Sequence, residues 1–340
     1  MAYFDYYRTN VESTSSANRN VMGTCFEMCP QYEVAMREKE RMVHVLEVMG
    51  PNRRLVKSFS RSAADVNMAV PSLLRPYNVL HKTLVLLNGY VPSSVLYDFL
   101  NDRLRAVRQD MTIQRLPPNH CVELLEQMIR FYVYYGYKLC ELPLKDYDPV
   151  LNKKYLLECL KWYLSCCEDI TLKDSSDAAG QLIESLYILC NLEDVHPLLR
   201  YLNLPKHLKK DPSLQLAYRI ATANSKGNFV KVCKLMEEVS PRALNSHPSS
   251  PQSVRRALLI LSHGYSSKQL SVPLAALARW LRSSPPDAEA ACRHYGLCVR
   301  GDDVYFAKTQ FAGGVDTVRM KLGTLIISPV SVLSTSRSRT

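Results

Sequence analysis

A chain of 340 residues, 47% apolar and 22% charged, can hold one large or two medium domains around a real core, which excludes an intrinsically disordered protein. Its 12 glycines are about half the usual share, which argues against Gly-rich phosphate-cradling loops and for a mainly helical fold. The net charge of +11 is uneven, with 22 Lys and Arg against 24 Asp and Glu up to Leu199, then 21 against 8 from Arg200 on, so the basic end suits a polyanion or simply a solvated surface.

Residues 1–22 are polar, rich in Ser, Thr and Asn, and are expected to be disordered. No basic segment followed by an apolar stretch opens the chain, and no apolar run reaches the ~18–20 residues of a membrane span. Eleven cysteines, several of them (Cys159, Cys166, Cys167, Cys190, Cys233) in apolar helical stretches, read as reduced core thiols of a nuclear or cytosolic protein. "GTCFEMCP" leads into a charged helix expected over Gln31–Met49, with Pro30 at its first turn and Gly50-Pro51 as its stop. Glu33 with Arg37, and Glu38 with Arg41, are spaced for surface ion pairs on it.

The next stretch, "VKSFSRSAADVNMAVPSLLRP" (Val56–Pro76), mixes apolar anchors and charges without a helical period. From Asn78 to about Leu192 helix follows helix, separated by turns such as "LPPN" and "LKDYDP". Leu125, Met128, Tyr132, Tyr135 and Leu139 share one face, and Leu157, Leu160, Leu164 and Cys167 share another. The run "FYVYYGYKL" could stack bases, but at helical spacing it reads as core. Stacked helical pairs without a strict repeat fit this region, taken as residues 23–250.

Three short helices are expected over Ser253–Tyr265, Val272–Ser283 and Pro285–Leu297, the last with Pro, Asp and Glu at its start and Arg293 and His294 at its end. The β-prone runs "LCVR" and "VYFAKTQF" flank Gly301-Asp302-Asp303 and predict a hairpin, which makes residues 251–315 a winged helix. Residues 316–340 are expected to be an irregular basic tail. Arg255 and Arg256 open the first helix, Arg279 and Arg282 lie on the second, Arg293 and His294 on the third, and Arg300 and Lys308 flank the wing. These are the candidates for contact with nucleic acid or with a protein partner, and charge alone does not choose between the two.

Catalytic and metal chemistry find no pattern. Cys25 and Cys29 form a C-x3-C pair, His44 could add one ligand, and two more would still be missing nearby. The chain contains no G-x4-G-K-[ST], H-E-x-x-H or G-x-S-x-G, and its eight histidines are scattered. The expectation is therefore a protein with no enzymatic activity, metal, cofactor or small-molecule substrate.

"GTCFEMCPQYEVAMRE" (Gly23–Glu38), "VKSFSRSAAD" with "PSLLRP", and "DFLNDRLRAVRQDMTIQ" (Asp98–Gln114) occur in order. Together they resemble the signature blocks of the suppressor-of-actin / GANP (germinal-centre-associated nuclear protein) / leucine-permease regulator family. "KGNFVKVCKLM" (Lys226–Met236) resembles the Gly-Asn-aromatic step of PCI domains. The resemblance covers roughly Gly23 to Phe311 and implies an all-α fold: a helical-repeat, TPR-like solenoid followed by a PCI-type winged helix with a small β-hairpin.

It also implies that Val56–Pro76 is an extended strap across the first helices, held by Phe59, Leu73 and Leu74 and closed by Arg75-Pro76. Lys57, Arg61 and Asp65 would meet Asp98, Asp102, Arg105 and Asp110 as a structural ion network, while Cys25 and Cys29 pack as small thiols under the first helix, which Pro30 opens; the strap offers serines but no nearby His for catalysis. The function implied is a scaffold that pairs with a PCI-domain protein and a small acidic subunit and contacts RNA or DNA in nuclear messenger RNA processing and export. Some short members instead serve centrosome duplication, spindle assembly and cell division, in the cytoplasm or at the centrosome. No Phe-Gly repeats precede the blocks and about thirty residues follow the wing, so the short, stand-alone type without nuclear-pore anchoring is expected.

Overall fold

The computed structural model describes residues 21–48, 55–60, 69–87, 94–140, 142–170, 178–236, 238, 251–267 and 269–314. They fall into two compact units, divided between Ile170 and Ala178. The expectations for residues 1–20 and 315–340 lie outside the described residues.

The first unit holds α1 (Gln31–Lys39), α2 (Val45–Val48), α3 (Tyr77–Leu87), α4 (Ser94–Gln114), α5 (Pro118–Lys138) and α6 (Pro149–Ile170). The helix expected over Gln31–Met49 is broken. Arg41 takes a left-handed conformation (φ 55°), and the Met42 N–H bonds back to the Arg37 carbonyl at 2.8 Å, a Schellman-like stop. The break lets α2 turn back and bring Glu47 against Arg37.

Long, strongly periodic α5 and α6 make the most extensive helix pairing of the unit. On α5 the predicted face is buried, and Phe131, Tyr132, Tyr134 and Tyr135 are buried with it, so the tyrosine run is core. Tyr132 donates to Asn101 Oδ1 at 3.0 Å and Tyr97 to Asn152 Oδ1 at 3.1 Å, which gives these buried hydroxyls partners. On α6 the inner face is set one step round from the expectation. Tyr155, Leu156, Cys159, Leu160, Tyr163, Leu164 and Cys166 are buried, while Leu157 and Cys167 are half-buried, because the bulky tyrosines rather than the leucines alone define the stripe.

The second unit starts with α7 (Ala178–Cys190), α8 (His196–Asn203), α9 (Pro212–Ser225) and α10 (Phe229–Met236). Within it α9 packs mainly on α7 and on α10, the helix that follows it, and less on α8, the helix before it. The Gly-Asn-aromatic step works as a helix junction: Gly227 supplies φ 69° after α9, and the Asn228 side chain caps α10 by accepting the Lys231 N–H at 3.0 Å.

The winged helix follows as α11 (Pro251–Gly264), β1 (Ser271–Pro273), α12 (Leu274–Leu281), α13 (Pro285–His294), β2 (Cys298–Arg300) and β3 (Asp303–Tyr305). The hairpin is present, and Gly301 at φ 56° makes its two-residue turn. The expected helix from Val272 starts instead at Leu274, and Ser271–Pro273 form a third strand, giving the order β1-β3-β2. Pro273 cannot donate to a ladder but is tolerated on this edge and ahead of a helix, so the segment closes the sheet over the buried Val272 and Val304. Leu258, Leu277, Ala291, Cys292, Tyr295 and Val304 form the core of the module, with Phe229 of α10 packed against it. No helix among the described residues is long and apolar enough to cross a membrane.

Candidate functional site

The three sequence blocks meet around α4. Gly23 donates its N–H to Gln114 Oε1 at 2.8 Å, and a Cβ there would stand 2.4 Å from the Leu74 carbonyl oxygen, so only glycine fits. The Cys25 N–H bonds the Leu74 carbonyl at 3.0 Å, and the Lys57 N–H bonds that of Met28 at 2.9 Å, tying the first block to both ends of the strap. Asp110 of α4 is fully buried and accepts from Lys57 Nζ at 2.6 Å and from Arg75 Nε at 2.7 Å. Lys57 also donates to the Leu73 carbonyl at 2.6 Å, and Gln114 Nε2 to that of Arg75 at 2.8 Å.

A second cluster lies on the same helix. Glu47 pairs with Arg37 and, at 3.3 Å, with Arg103, and accepts the Val56 N–H at 3.0 Å and the His44 N–H at 3.1 Å. Burial works against its charge, but the Val56 N–H, Arg103 and Arg37 outweigh it and hold the carboxyl below the ordinary range. The Ser58 N–H and hydroxyl both reach Glu33 Oε1 at 2.8 Å, and the Phe59 N–H reaches Asp102 Oδ2 at 3.1 Å. The Arg105 guanidinium covers the Phe59 ring at 3.8 Å.

Lys57, Phe59, Leu73, Leu74, Arg75, Asp102, Arg105 and Asp110 therefore do come together in one clamp. Asp98 points outward, and Arg61 and Asp65 lie outside the described residues. Glu47, Arg103, Gln114 and Gly23 were not singled out by sequence reasoning, and in the Glu33–Arg37 pair it placed on the surface Arg37 is buried and Glu33 half-buried. The i, i+4 spacing was the available signal; what it lacked was the apolar cover.

Cys25 and Cys29 are buried beneath the first block, and burial pushes the Cys29 thiol up to about 12, which keeps it a neutral packing group. His44 stacks on Phe99 at 4.7 Å, and its pKa is lowered first by burial and then by Arg103. Each charged side chain of the clamp meets at least one partner within the fold and so ties chain segments together, although the buried Arg75 Nη2 and Arg103 Nε make no hydrogen bond.

The basic side chains of the winged helix divide in two. Arg255 donates to the Gly313 carbonyl and Arg256 is half-buried beside Asn224 and Phe229, so both serve internal packing. Arg279, Arg282, Arg293, His294, Arg300 and Lys308 are exposed. Arg293 is bonded to Glu289 one turn back at 2.7 Å, and Arg300 lies 5.4 Å from the Tyr305 ring centre. Asp302 and Asp303 make the tip of the wing acidic.

Residues 28–301 match the model of the SAC3/GANP family. The chain belongs to this family. It is similar to Protein xmas of Drosophila melanogaster, 27% identical over 82% of this chain and 14% of the relative. SAC3 family protein B of Arabidopsis thaliana is 24% identical over 82% of this chain and 18% of its own length. SAC3 family protein 1 of Schizosaccharomyces pombe is 25% identical over 83% of this chain and 30% of its own length. The chain thus spans less than a third of each of these relatives. Most of the SAC3/GANP match falls on the clamp, the helices after it and the winged helix as far as its turn.

Proposed function

We propose that this SAC3/GANP chain is a non-enzymatic scaffold that pairs with a PCI-domain protein, assisted by a small acidic subunit, and contacts RNA or DNA in nuclear messenger RNA processing and export. The observation that carries the reading is a division of charge. The clamp uses its arginines and lysine to hold the fold, whereas the winged helix leaves Arg279, Arg282, Arg300 and Lys308 at the surface. Exposed cations on a compact helical module suit phosphates or an acidic protein surface.

Affinity purification of the full chain from cells, followed by titration of labelled RNA and DNA at several salt concentrations, tests the reading. Recovery of a PCI-domain protein together with salt-dependent binding is the expected result. No nucleic-acid binding by the chain, alone or with that partner, would sink the nucleic-acid part. Recovery of centrosomal proteins in place of a PCI partner would favour the cell-division role implied for short family members.

A further inference from the structure

The short helix α8 is amphipathic the wrong way round. Val195, Leu199 and Leu202 stand at i, i+4 and i+7, one face of the helix, and are 58%, 54% and 56% exposed. The opposite face carries the attachments to the body of the unit, and most of them are polar or aromatic. Arg200 forks onto Glu184 of α7 at 3.1 and 2.7 Å, His196 Nδ1 meets the Tyr187 hydroxyl at 3.2 Å, and Tyr201 stacks on Tyr218 of α9 at 4.0 Å. Pro197 is the one buried residue of α8. A helix that stabilised only its own unit would turn its leucines inward.

The stripe ends on a rigid basic turn. Lys209 donates to the Leu202 carbonyl at 2.6 Å, and a 3-10 turn at Leu208–Lys210 leads to Asp211, the cap of α9. Lys206 and Lys210 stand exposed on this turn, and neither has an ion-pair partner among the described residues. Three apolar anchors at helical spacing suit a single docked helix and fall short of the ~800 Å² per partner of a stable dimer. Lys206 and Lys210 beyond Leu202 select a helix that is acidic where it meets them, while the exposed Glu193 and Asp194 border the Val195 end and disfavour acid there.

We infer that Val195, Leu199 and Leu202, with Lys206 and Lys210 beside them, form a docking surface for an acidic amphipathic helix of a partner protein. The surface lies outside the winged helix and does not rest on its nucleic-acid reading. Rigid attachment through Arg200, His196 and Tyr201 holds the anchors in place before binding, which limits the ordering cost.

The test uses the full chain and a fluorescein-labelled peptide of about 18 residues with Leu at i, i+4 and i+7 and Glu clustered at one end. A control peptide carries Lys in place of Glu. Anisotropy titration should show the acidic peptide binding at least tenfold tighter than the control. Leu199→Ser with Leu202→Ser should weaken it at least tenfold, and Lys206→Glu with Lys210→Glu should abolish the preference. Circular dichroism should be unchanged in both, and Arg279→Glu should leave peptide binding alone. Absence of binding, or equal binding of both peptides, would overturn the proposal. So would sedimentation showing a dimer that Leu199→Ser with Leu202→Ser dissolves, since the stripe would then belong to a second copy. RNA binding lost only in the lysine variants would overturn it in favour of nucleic acid.

Discussion

Arginines do opposite work in the clamp and in the winged helix. Arg75 is 0% exposed and its charge is answered by Asp110 from a helix far along the chain, whereas the Arg293 side chain is 61% exposed and is answered by Glu289 of its own helix. A buried guanidinium ties two distant segments, and neither partner can change without stranding the other. An exposed one contributes little to the fold and is available for other molecules. The near-neutral first part places Glu47 and Asp110 in buried pairs, while the C-terminal part has few acids and presents Arg279, Arg300 and Lys308 to solvent.

The largest effect should come from Asp110→Ala, which leaves Lys57 and Arg75 buried without a counter-charge. Removing one member of such a group costs about 3–5 kcal/mol. Urea denaturation of the full chain should show that loss, and an unchanged midpoint would break the contrast by making the clamp dispensable. Next comes Gly23→Ala. The added methyl meets the Leu74 carbonyl oxygen at 2.4 Å, a backbone atom, and displacing it should cost about 1–3 kcal/mol.

Glu47→Gln tests the electrostatics of the clamp through pH. Since the folded carboxyl titrates below its unfolded value, its stabilisation is fully present above the unfolded pKa and is lost as pH falls through the folded one. The parent should therefore exceed the variant at neutral pH, and the gap should close on acidification below about pH 4.5. A gap independent of pH would show that Glu47 acts by shape alone.

How much of this contrast was legible in sequence depended on the range of the interaction. The α5 stripe and the hairpin turn at Gly301 are local patterns, and both stand as expected. The strap became readable only by resemblance, because Lys57 meets Asp110 across 53 positions and no periodicity spans that gap. Glu47 stayed hidden because its helix has four residues, too few to show a period, and depends on the turn at Arg41. Strand β1 was hidden for a related reason: it runs without a loop into α12, and its apolar residues continue the helical pattern. In the winged helix, exposure of Arg293 and Arg300 followed from their places at element ends, but nothing local distinguished Arg255, whose partner is the Gly313 carbonyl.

The smallest effect on stability, and the sharpest on binding, is expected from Arg279→Glu with Arg300→Glu. Both side chains are exposed and neither takes part in a buried pair, so the melt should stay within about 0.5 kcal/mol of the parent. If each touches a phosphate, losing both should flatten the salt dependence of binding by about 1.8 on duplex DNA or 1.4 on a single strand. Affinity should fall alike for all sequences, because phosphate contacts position the chain without reading bases. Arg293→Glu serves as the internal control. It meets Glu289 one turn away, so it should lose only the few tenths of a kcal/mol of a surface pair. A chain in which the double reversal lowered the melt by several kcal/mol would erase the distinction between the two regions, since its arginines would then hold the fold as Arg75 does.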